Sequence, residues 1–311
     1  MLTVGFLLPE RFQIMALAPA SAFEMANVTA RERLYDVRVL SEHGGAIKNS
    51  LGLSIETRPL ARSRLDTLIV GGLPFPQSSP AGLIAGLRRA SRRARRTASV
   101  CTGAFLLAEA GLLDGKRATT HWIHARDLHS RFPSVRVEED RIYIIDGAIW
   151  TSAGMTAGVD LALGMIEKDF GAQLARAVAR TLVVYHRRTG GQTQHSALLE
   201  LDLKSDRIQQ AMAYARSHLT SALTVEELAA AANLSPRQFS RAFKHETGQS
   251  PAKAVEQLRV ETARVMVEST RHPVDVIARE AGFADPERMR RAFLRAFGQP
   301  PQAIRRTARN P

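Results

Sequence analysis

The chain predicts two domains of different class: an α/β domain on an open, mostly parallel sheet, then an all-α domain with two helix-turn-helix units. Three observations carry this. Through about the first two hundred residues, strand-like and helix-like segments alternate, the pattern of a sheet covered by helices on both faces. Through about the last ninety, one pattern is written twice. Leu228, Ala229, Ala232, Asn233 and Leu234 recur 49 positions on as Ile277, Ala278, Ala281, Gly282 and Phe283, and Pro236, Arg241, Phe243, Gly248 and Pro251 recur 50 positions on as Pro286, Arg291, Phe293, Gly298 and Pro301. Finally, 311 residues are enough for two domains.

The first domain is read in order. Residues 2–8, all but one apolar or Thr, read as a buried strand; 12–27 read as a helix, 35–40 as a strand, and 66–70 as a strand running into Gly71 and Gly72. Residues 79–96 read as a helix, 97–100 as a strand entering Cys101, and 102–110 as a helix stopped at Gly111. A strand at 118–121, a hairpin turning on Asp146 and Gly147, and a helix over 156–170 complete the series. Residues 186–192 are polar and contain glycine, as a hinge does. The expected division is therefore 1–190, a linker over 191–204, and 205–311.

In the second domain a helix over 206–219 leads into Thr224-Val225-Glu226-Glu227, a capping box opening a short helix. Asn233 and Leu234 break it, and Ser235 caps the next helix with Pro236 at its first position and Gln238 closing a second box. Phe239, Ala242 and Phe243 face inward at helical spacing, which leaves Arg237, Ser240, Arg241 and Lys244 outward. The second copy repeats this with Asp285 as cap: Met289, Phe293 and Phe297 point in, and Glu287, Arg290, Arg291 and Arg295 point out. Short helix, tight turn and capped basic helix, twice over, is the unit that places a helix in the DNA major groove. Solvated amphipathic helices are the bland alternative.

Charge and composition bound the function. The formal net charge of +13 favours an anionic partner. Residues 205–311 hold 17 Lys/Arg against 11 Asp/Glu, and residues 1–204 hold 26 against 19. Six of those 26 are Arg88, Arg89, Arg92, Arg93, Arg95 and Arg96, read as the exposed face of a helix. Cys101 is the only cysteine, which excludes an intrachain disulfide and fits a reducing compartment. With no signal-like N-terminus and no long apolar run, the chain is expected to be soluble and cytoplasmic, away from membrane.

Ligands of such sheets sit beyond the carboxyl ends of the strands. Gly72, Leu73, Cys101, Thr102, His121, Trp122 and Ser152 gather there and form the expected ligand pocket. A cysteine at a strand-to-helix turn has its sulfur by a helix N-terminus, which favours thiolate and predicts an accessible, partly ionised sulfur; a small buried hydrophobe is the alternative. Cys101, His121, His124 and His129 match no zinc spacing, and the Gly71–Gly72 pair lacks the Lys-Ser/Thr of a phosphate loop, so neither metal nor cofactor is expected. His124 and His129 read as surface residues of the helix that follows.

Two resemblances sharpen these readings. Residues 223–306, with Ile277-Ala278-x-x-Ala281-Gly282-Phe283 and Phe293-x-x-x-Phe297-Gly298-x-x-Pro301, resemble the AraC/XylS-type DNA-binding domain. That resemblance implies a rigid helix over 251–269 joining the two units. It also implies base reading by Arg237, Ser240 and Arg241, then by Glu287, Arg290 and Arg291, with Gln238 in the same interface and Lys244 and Arg295 on phosphates. Residues 3–190, with Val100-Cys101-Thr102-Gly103-Ala104-Phe105, Gly111-Leu112-Leu113-Asp114-Gly115 and Thr119-Thr120-His121-Trp122, resemble the ThiJ/PfpI superfamily, a flavodoxin-like α/β fold with an elbow cysteine. Enzymes of that superfamily pair the cysteine with a histidine and an early glutamate. Ser21 stands at about the glutamate's position, and Glu24 lies on another helical face, so the usual proton-transfer partner is missing.

The expectation is a ligand-responsive transcription factor with no catalytic residue. Its partners would be double-stranded promoter DNA, a small effector that family precedent makes amino-acid-derived or a quaternary amine, a second copy in a homodimer, and RNA polymerase. The rival readings are a cysteine-dependent hydrolase, hydratase or amidase fused to DNA-binding helices, and an architectural DNA binder without effector.

Overall fold

The alternating segments of the first part become, in order, β1 (Leu2–Leu7), α1 (Ala20–Ala30), β2 (Tyr35–Ser41), β3 (Gly45–Lys48), β4 (Ser54–Pro59), β5 (Thr67–Val70), α2 (Ala81–Ser91), β6 (Arg96–Val100) and α3 (Gly103–Glu109). After them come β7 (Arg117–Ala118), α4 (Trp122–Arg131), β8 (Arg136–Val137), β9 (Tyr143–Asp146), β10 (Ile149–Ser152), α5 (Ala157–Phe170) and α6 (Ala172–Thr181). The computed structural model describes residues 1–184, 188, 190, 194 and 205–309, in two compact units, Met1–Gln194 and His195–Pro311.

Eight strands form one sheet in the order β3-β4-β2-β1-β5-β6-β10-β9, parallel from β4 to β10 with antiparallel edges. The chain winds outward from β1 in one direction and from β5 in the other, so the strand order reverses between them, where open sheets form their crevice. β5, β6 and β10 are buried along their whole length. Phe6, Phe23, Tyr35, Trp150, Leu161 and Met165 fill one face beneath α1, α5 and α6. Leu7, Leu40, Leu68, Phe105, Leu107 and Leu128 fill the other beneath α2, α3 and α4.

Several sequence expectations change. Residues 12–27 are not one helix: a 3-10 turn at Ile14–Leu17 precedes Pro19, and α1 begins only at Ala20, because proline supplies no N–H inside a helix. The β3–β4 hairpin and α6 are elements that the sequence pattern does not predict. The arginine run is a helix face only in part: Arg88 and Arg89 are exposed on the last turn of α2, while the later arginines lie beyond it. α2 stops at Ser91, and Arg96, 4% exposed, is the first residue of β6. There it donates to Thr67 Oγ1 at 2.8 Å and to Asp169, whose fully buried carboxylate also binds Arg95 at 2.9 Å and the Tyr35 hydroxyl at 3.0 Å. A buried carboxylate needs such partners, and this demand takes Arg96 out of the solvated series while Arg95 stays half exposed. Of the expected hinge over 186–192, Arg188 and Gly190 are described. Arg188 is held by Asp160 Oδ2 at 2.8 Å and Thr156 Oγ1 at 2.7 Å. The rest of that stretch, and residues 195–204, lie outside the described residues.

The second unit comprises α7 (Asp206–Ser217), α8 (Val225–Ala231), α9 (Pro236–Thr247), α10 (Pro251–Ser269), α11 (Val274–Glu280), α12 (Pro286–Phe297) and α13 (Pro301–Arg309). Both capping boxes form, Thr224 with Glu227 and Ser235 with Gln238, and Asp285 caps α12. The two turns use left-handed residues, Asn233 at φ +53° and Gly282 at φ +82°. Two cores result, joined by α10. Its first half gives Ala254, Val255 and Leu258 to the core around Phe239 and Phe243, and its second half gives Val260, Ala263 and Val267 to the core around Met289 and Phe293. At the boundary Arg259 donates to the carbonyls of Leu219 at 3.1 Å and Ser221 at 2.6 Å. Gly282 lies so close that an added Cβ would sit 1.8 Å from the Leu219 oxygen.

Candidate functional site

Two places carry chemistry, one in each unit. In the second unit, α9 and α12 are the capped helices with the basic outer faces. Arg237, Gln238, Arg241 and Lys244 are exposed along α9, and Ser240 is half-buried. Gln238 is partly committed, since its Oε1 accepts from the Ser235 amide at 3.1 Å and from the Ser235 hydroxyl at 2.8 Å. Glu287, Arg290, Arg291 and Arg295 are exposed along α12. Arg290 closes on Glu287 through Nε and Nη2, both at 2.8 Å, which holds the Glu287 carboxyl below its ordinary range and the Arg290 guanidinium above. Arg295 reaches back to Glu256 of α10 at 2.9 Å. Sequence reasoning missed Glu256 and Arg259, because an ion pair or a carbonyl clamp between helices leaves no periodic signal.

In the first unit, Cys101 follows β6 with φ +55°, a conformation costly for any residue but glycine. The surroundings fix it. Its amide donates to the Ser152 carbonyl at 3.1 Å, and its own carbonyl accepts from Thr120 Oγ1 at 2.9 Å. Gly154 packs so tightly that a Cβ there would lie 2.2 Å from the Cys101 Cβ. Thr102 and Ser152 are buried; Thr102 Oγ1 donates to the Leu73 carbonyl at 2.5 Å, and Ser152 Oγ to the Ser99 carbonyl at 3.3 Å. Gly72 abuts Thr102 and Gly103. The structure thus brings Gly72, Leu73, Cys101, Thr102 and Ser152 together, and it places His121 and Trp122 at the start of α4. His121 caps that helix, its Nδ1 accepting from the Ile123 amide at 3.4 Å, and Trp122 is 48% exposed.

The sulfur is the main correction. Cys101 is only 7% exposed, and burial pushes its thiol up to about 11, outweighing the hydrogen bonds at Thr102 that favour thiolate. Desolvation beats the helix N-terminus here because the charge would have to form away from water. The thiol is protonated at neutral pH. The expected strand at 118–121 is also shorter: β7 ends at Ala118, and Thr119 and Thr120 leave it to meet Thr151 and Cys101. Gln194 was missed altogether. Its Nε2 donates to the carbonyls of Thr120, Glu139 and Arg141, and its Oε1 accepts from the Trp122 amide. Away from the elbow a cleft of about 570 Å³ opens between α2, α3 and α4, lined by Ser79, Ile84, Arg88, Glu109, Arg131 and Phe132. Among the described residues no three His, Cys, Asp or Glu side chains gather to hold a metal, and no helix is long and apolar enough to cross a membrane.

Comparison with known proteins agrees with both halves. Residues 7–168 match the DJ-1/PfpI family, and residues 228–307 match a helix-turn-helix domain. The HTH-type transcriptional regulator GbdR of Pseudomonas aeruginosa is 30% identical over 306 residues, 96% of this chain and 83% of its own. The HTH-type transcriptional regulator GlxA of Rhizobium meliloti is 30% identical over 319 residues, 97% of this chain and 95% of its own. Among solved structures, a THiJ/PfpI family protein from Pseudomonas syringae aligns with a TM-score of 0.53 at 22% identity, covering 75% of this chain and 91% of that one, a likeness of fold.

Proposed function

The chain belongs to the DJ-1/PfpI family and, across nearly its whole length, to the HTH-type transcriptional regulators of the GbdR and GlxA kind, and from that footing we propose that its first unit senses a small metabolite at the Cys101 elbow and thereby adjusts promoter binding. One observation supports the sensing reading over a catalytic one: the elbow cysteine is held in its strained conformation but is only 7% exposed, and burial favours its neutral thiol. A neutral thiol is a weak nucleophile but can donate a hydrogen bond to a ligand. Ser21, at about the position where the resemblance implies a glutamate, gives its hydroxyl to the Ala18 carbonyl at 2.6 Å and offers no base. The proposed interface with DNA is Arg237, Gln238, Ser240, Arg241 and Lys244 on α9 with Glu287, Arg290, Arg291 and Arg295 on α12. The proposed pocket comprises Gly72, Leu73, Cys101, Thr102, His121, Trp122 and Ser152. The effector class is an amino-acid derivative or quaternary amine, and the working form is a cytoplasmic homodimer that meets RNA polymerase at the promoter.

A second reading puts the effector in the cleft between α2, α3 and α4, because that cleft offers room, cations at Arg88 and Arg131, and a carboxylate at Glu109. Thermal shifts of the full chain against a panel of quaternary amines and amino-acid derivatives separate the two, since a true effector stabilises the folded state by mass action. The elbow reading expects Cys101→Ala to abolish the shift and Arg131→Ala to keep it; the reverse pattern moves the site to the cleft. Steady consumption of the metabolite by wild type but not by Cys101→Ala would replace sensing with catalysis.

A further inference from the structure

The two recognition helices are written on one pattern, yet they differ where they would enter DNA. Positions 237 and 240 of α9 are Arg and Ser; the matching positions 287 and 290 of α12 are Glu and Arg. On α12 the two side chains form a two-point fork, Arg290 Nε to Glu287 Oε2 and Nη2 to Oε1, on the exposed face. A carboxylate at the leading end of a helix that approaches DNA is repelled by the phosphates and weakens sequence-independent binding. What it offers in return is orientation. The fork occupies one edge of the guanidinium, Nε and one Nη2 hydrogen, and leaves the Nη1 hydrogens and the other Nη2 hydrogen outside it on a side chain that is 44% exposed. Those hydrogens form a second donor edge that can pair with guanine O6 and N7, and a carboxylate oxygen with a lone pair to spare accepts from cytosine N4.

We infer that Glu287 and Arg290 work as one reading unit: Glu287 fixes the guanidinium with its outer edge toward a guanine, and itself accepts from the amine of a neighbouring cytosine. Arg290 is the direct reader and Glu287 the positioning and discriminating residue. α9 cannot form this unit, so the two halves of one chain's site differ in sequence. The inference rests on DNA binding by the second unit and is independent of sensing at the elbow.

Selection of binding sites from random duplexes tests it, using the full chain as wild type, Glu287→Gln, Glu287→Ala and Arg290→Ala. Wild type is expected to select a guanine and a nearby cytosine in the half-site of α12. Glu287→Ala is expected to lose the cytosine, lowering the ratio of selected to random binding about tenfold, while binding to random duplex strengthens. Glu287→Gln is expected to show the same rise in random binding with partial loss of selection, and Arg290→Ala to lose the guanine. Unchanged selection by α9 in every variant reports an intact fold. Glu287→Ala selecting the wild-type sequence would overturn the inference. So would an Arg290→Ala that weakens all duplexes alike and lowers the salt slope by about one unit, the mark of a phosphate contact.

Discussion

The side-chain amide of Gln194 donates to the carbonyl of Thr120 at 2.8 Å, and the hydroxyl of the same Thr120 donates to the carbonyl of Cys101 at 2.9 Å. The last residue of the first unit is therefore two hydrogen bonds from the elbow. Any ligand that shifts the loop from Thr119 to Trp122 changes what Gln194 can hold, and a ligand alters DNA affinity only through such a difference between states. Gln194→Ala is expected to keep effector binding near the wild-type level while the change in operator affinity on adding effector shrinks. Removing its several partners is expected to cost about 1–3 kcal/mol of stability. Both tryptophans, Trp122 and Trp150, lie in the first unit, so their fluorescence in denaturant reads this unit alone. A full operator response in Gln194→Ala would remove Gln194 from the coupling.

Cys101 gives a pH dependence with a definite sign. Burial raises its thiol from 9.0 to about 11, so in the folded state the proton is held longer than in the unfolded chain. Its contribution to stability is complete below about pH 9 and falls as pH rises through the window to about 11, because the unfolded chain then binds fewer protons. Alkylation by iodoacetamide should accordingly be slow at pH 8 and quicken steeply above pH 10. Cys101→Ser should flatten the alkaline loss of stability. Rapid alkylation of the native protein at pH 7 would show the sulfur to be open and ionised.

For the DNA interface, Arg241→Ala and Arg291→Ala are each expected to weaken specific operator binding by about 1–3 kcal/mol and to relax preference at one base position. Lys244→Ala should weaken all sequences alike and lower the salt slope by about one unit. Footprinting should find two major-groove contacts per chain about 34 Å apart. Protection of one groove per chain would count against two reading helices.

The cluster beneath the sheet makes a stability prediction. Asp169 is enclosed by Arg96, Arg95 and the Tyr35 hydroxyl, and burial together with the Asp169 charge raises the Tyr35 phenol far above its ordinary range. Asp169→Asn leaves the buried guanidinium of Arg96 without its counter-charge, a change expected to cost about 3–5 kcal/mol. Denaturant unfolding of the first unit measures it, with Arg95→Ala as a mild control because Arg95 is half exposed. A loss under 1 kcal/mol in Asp169→Asn would mean the pair is dispensable.

Much of this architecture was legible because its causes are local. The capping boxes at Thr224 and Ser235, the left-handed turns at Asn233 and Gly282, and the turn at Gly147 are each written within a few residues, and all stand where the sequence puts them. What escaped depends on partners far along the chain. Arg96 left the expected helix because Asp169, 73 positions away, needed a cation. The sequence leaves the state of Cys101 open between thiolate and buried thiol because the helix N-terminus is visible in it, while burial under Gly154, Thr120 and Ser152 is not. Gln194 carried no signal, since its value lies wholly in the carbonyls that converge on it.

Arg259 and Gly282 tie the two helix-turn-helix units to one another at the waist of α10, so that, on the proposed reading of DNA by both α9 and α12, the two helices would act as the fixed jaws of a caliper. Such jaws sense phase as well as sequence. One base pair inserted between the half-sites moves the far one along the duplex and rotates it by about a tenth of a helical turn, away from the face α12 can reach. A tethered pair of independent readers would absorb that change by flexing; this pair can meet it only by twisting the DNA or letting one jaw go. On that reading, spacing is part of the message, written in base pairs that no side chain touches.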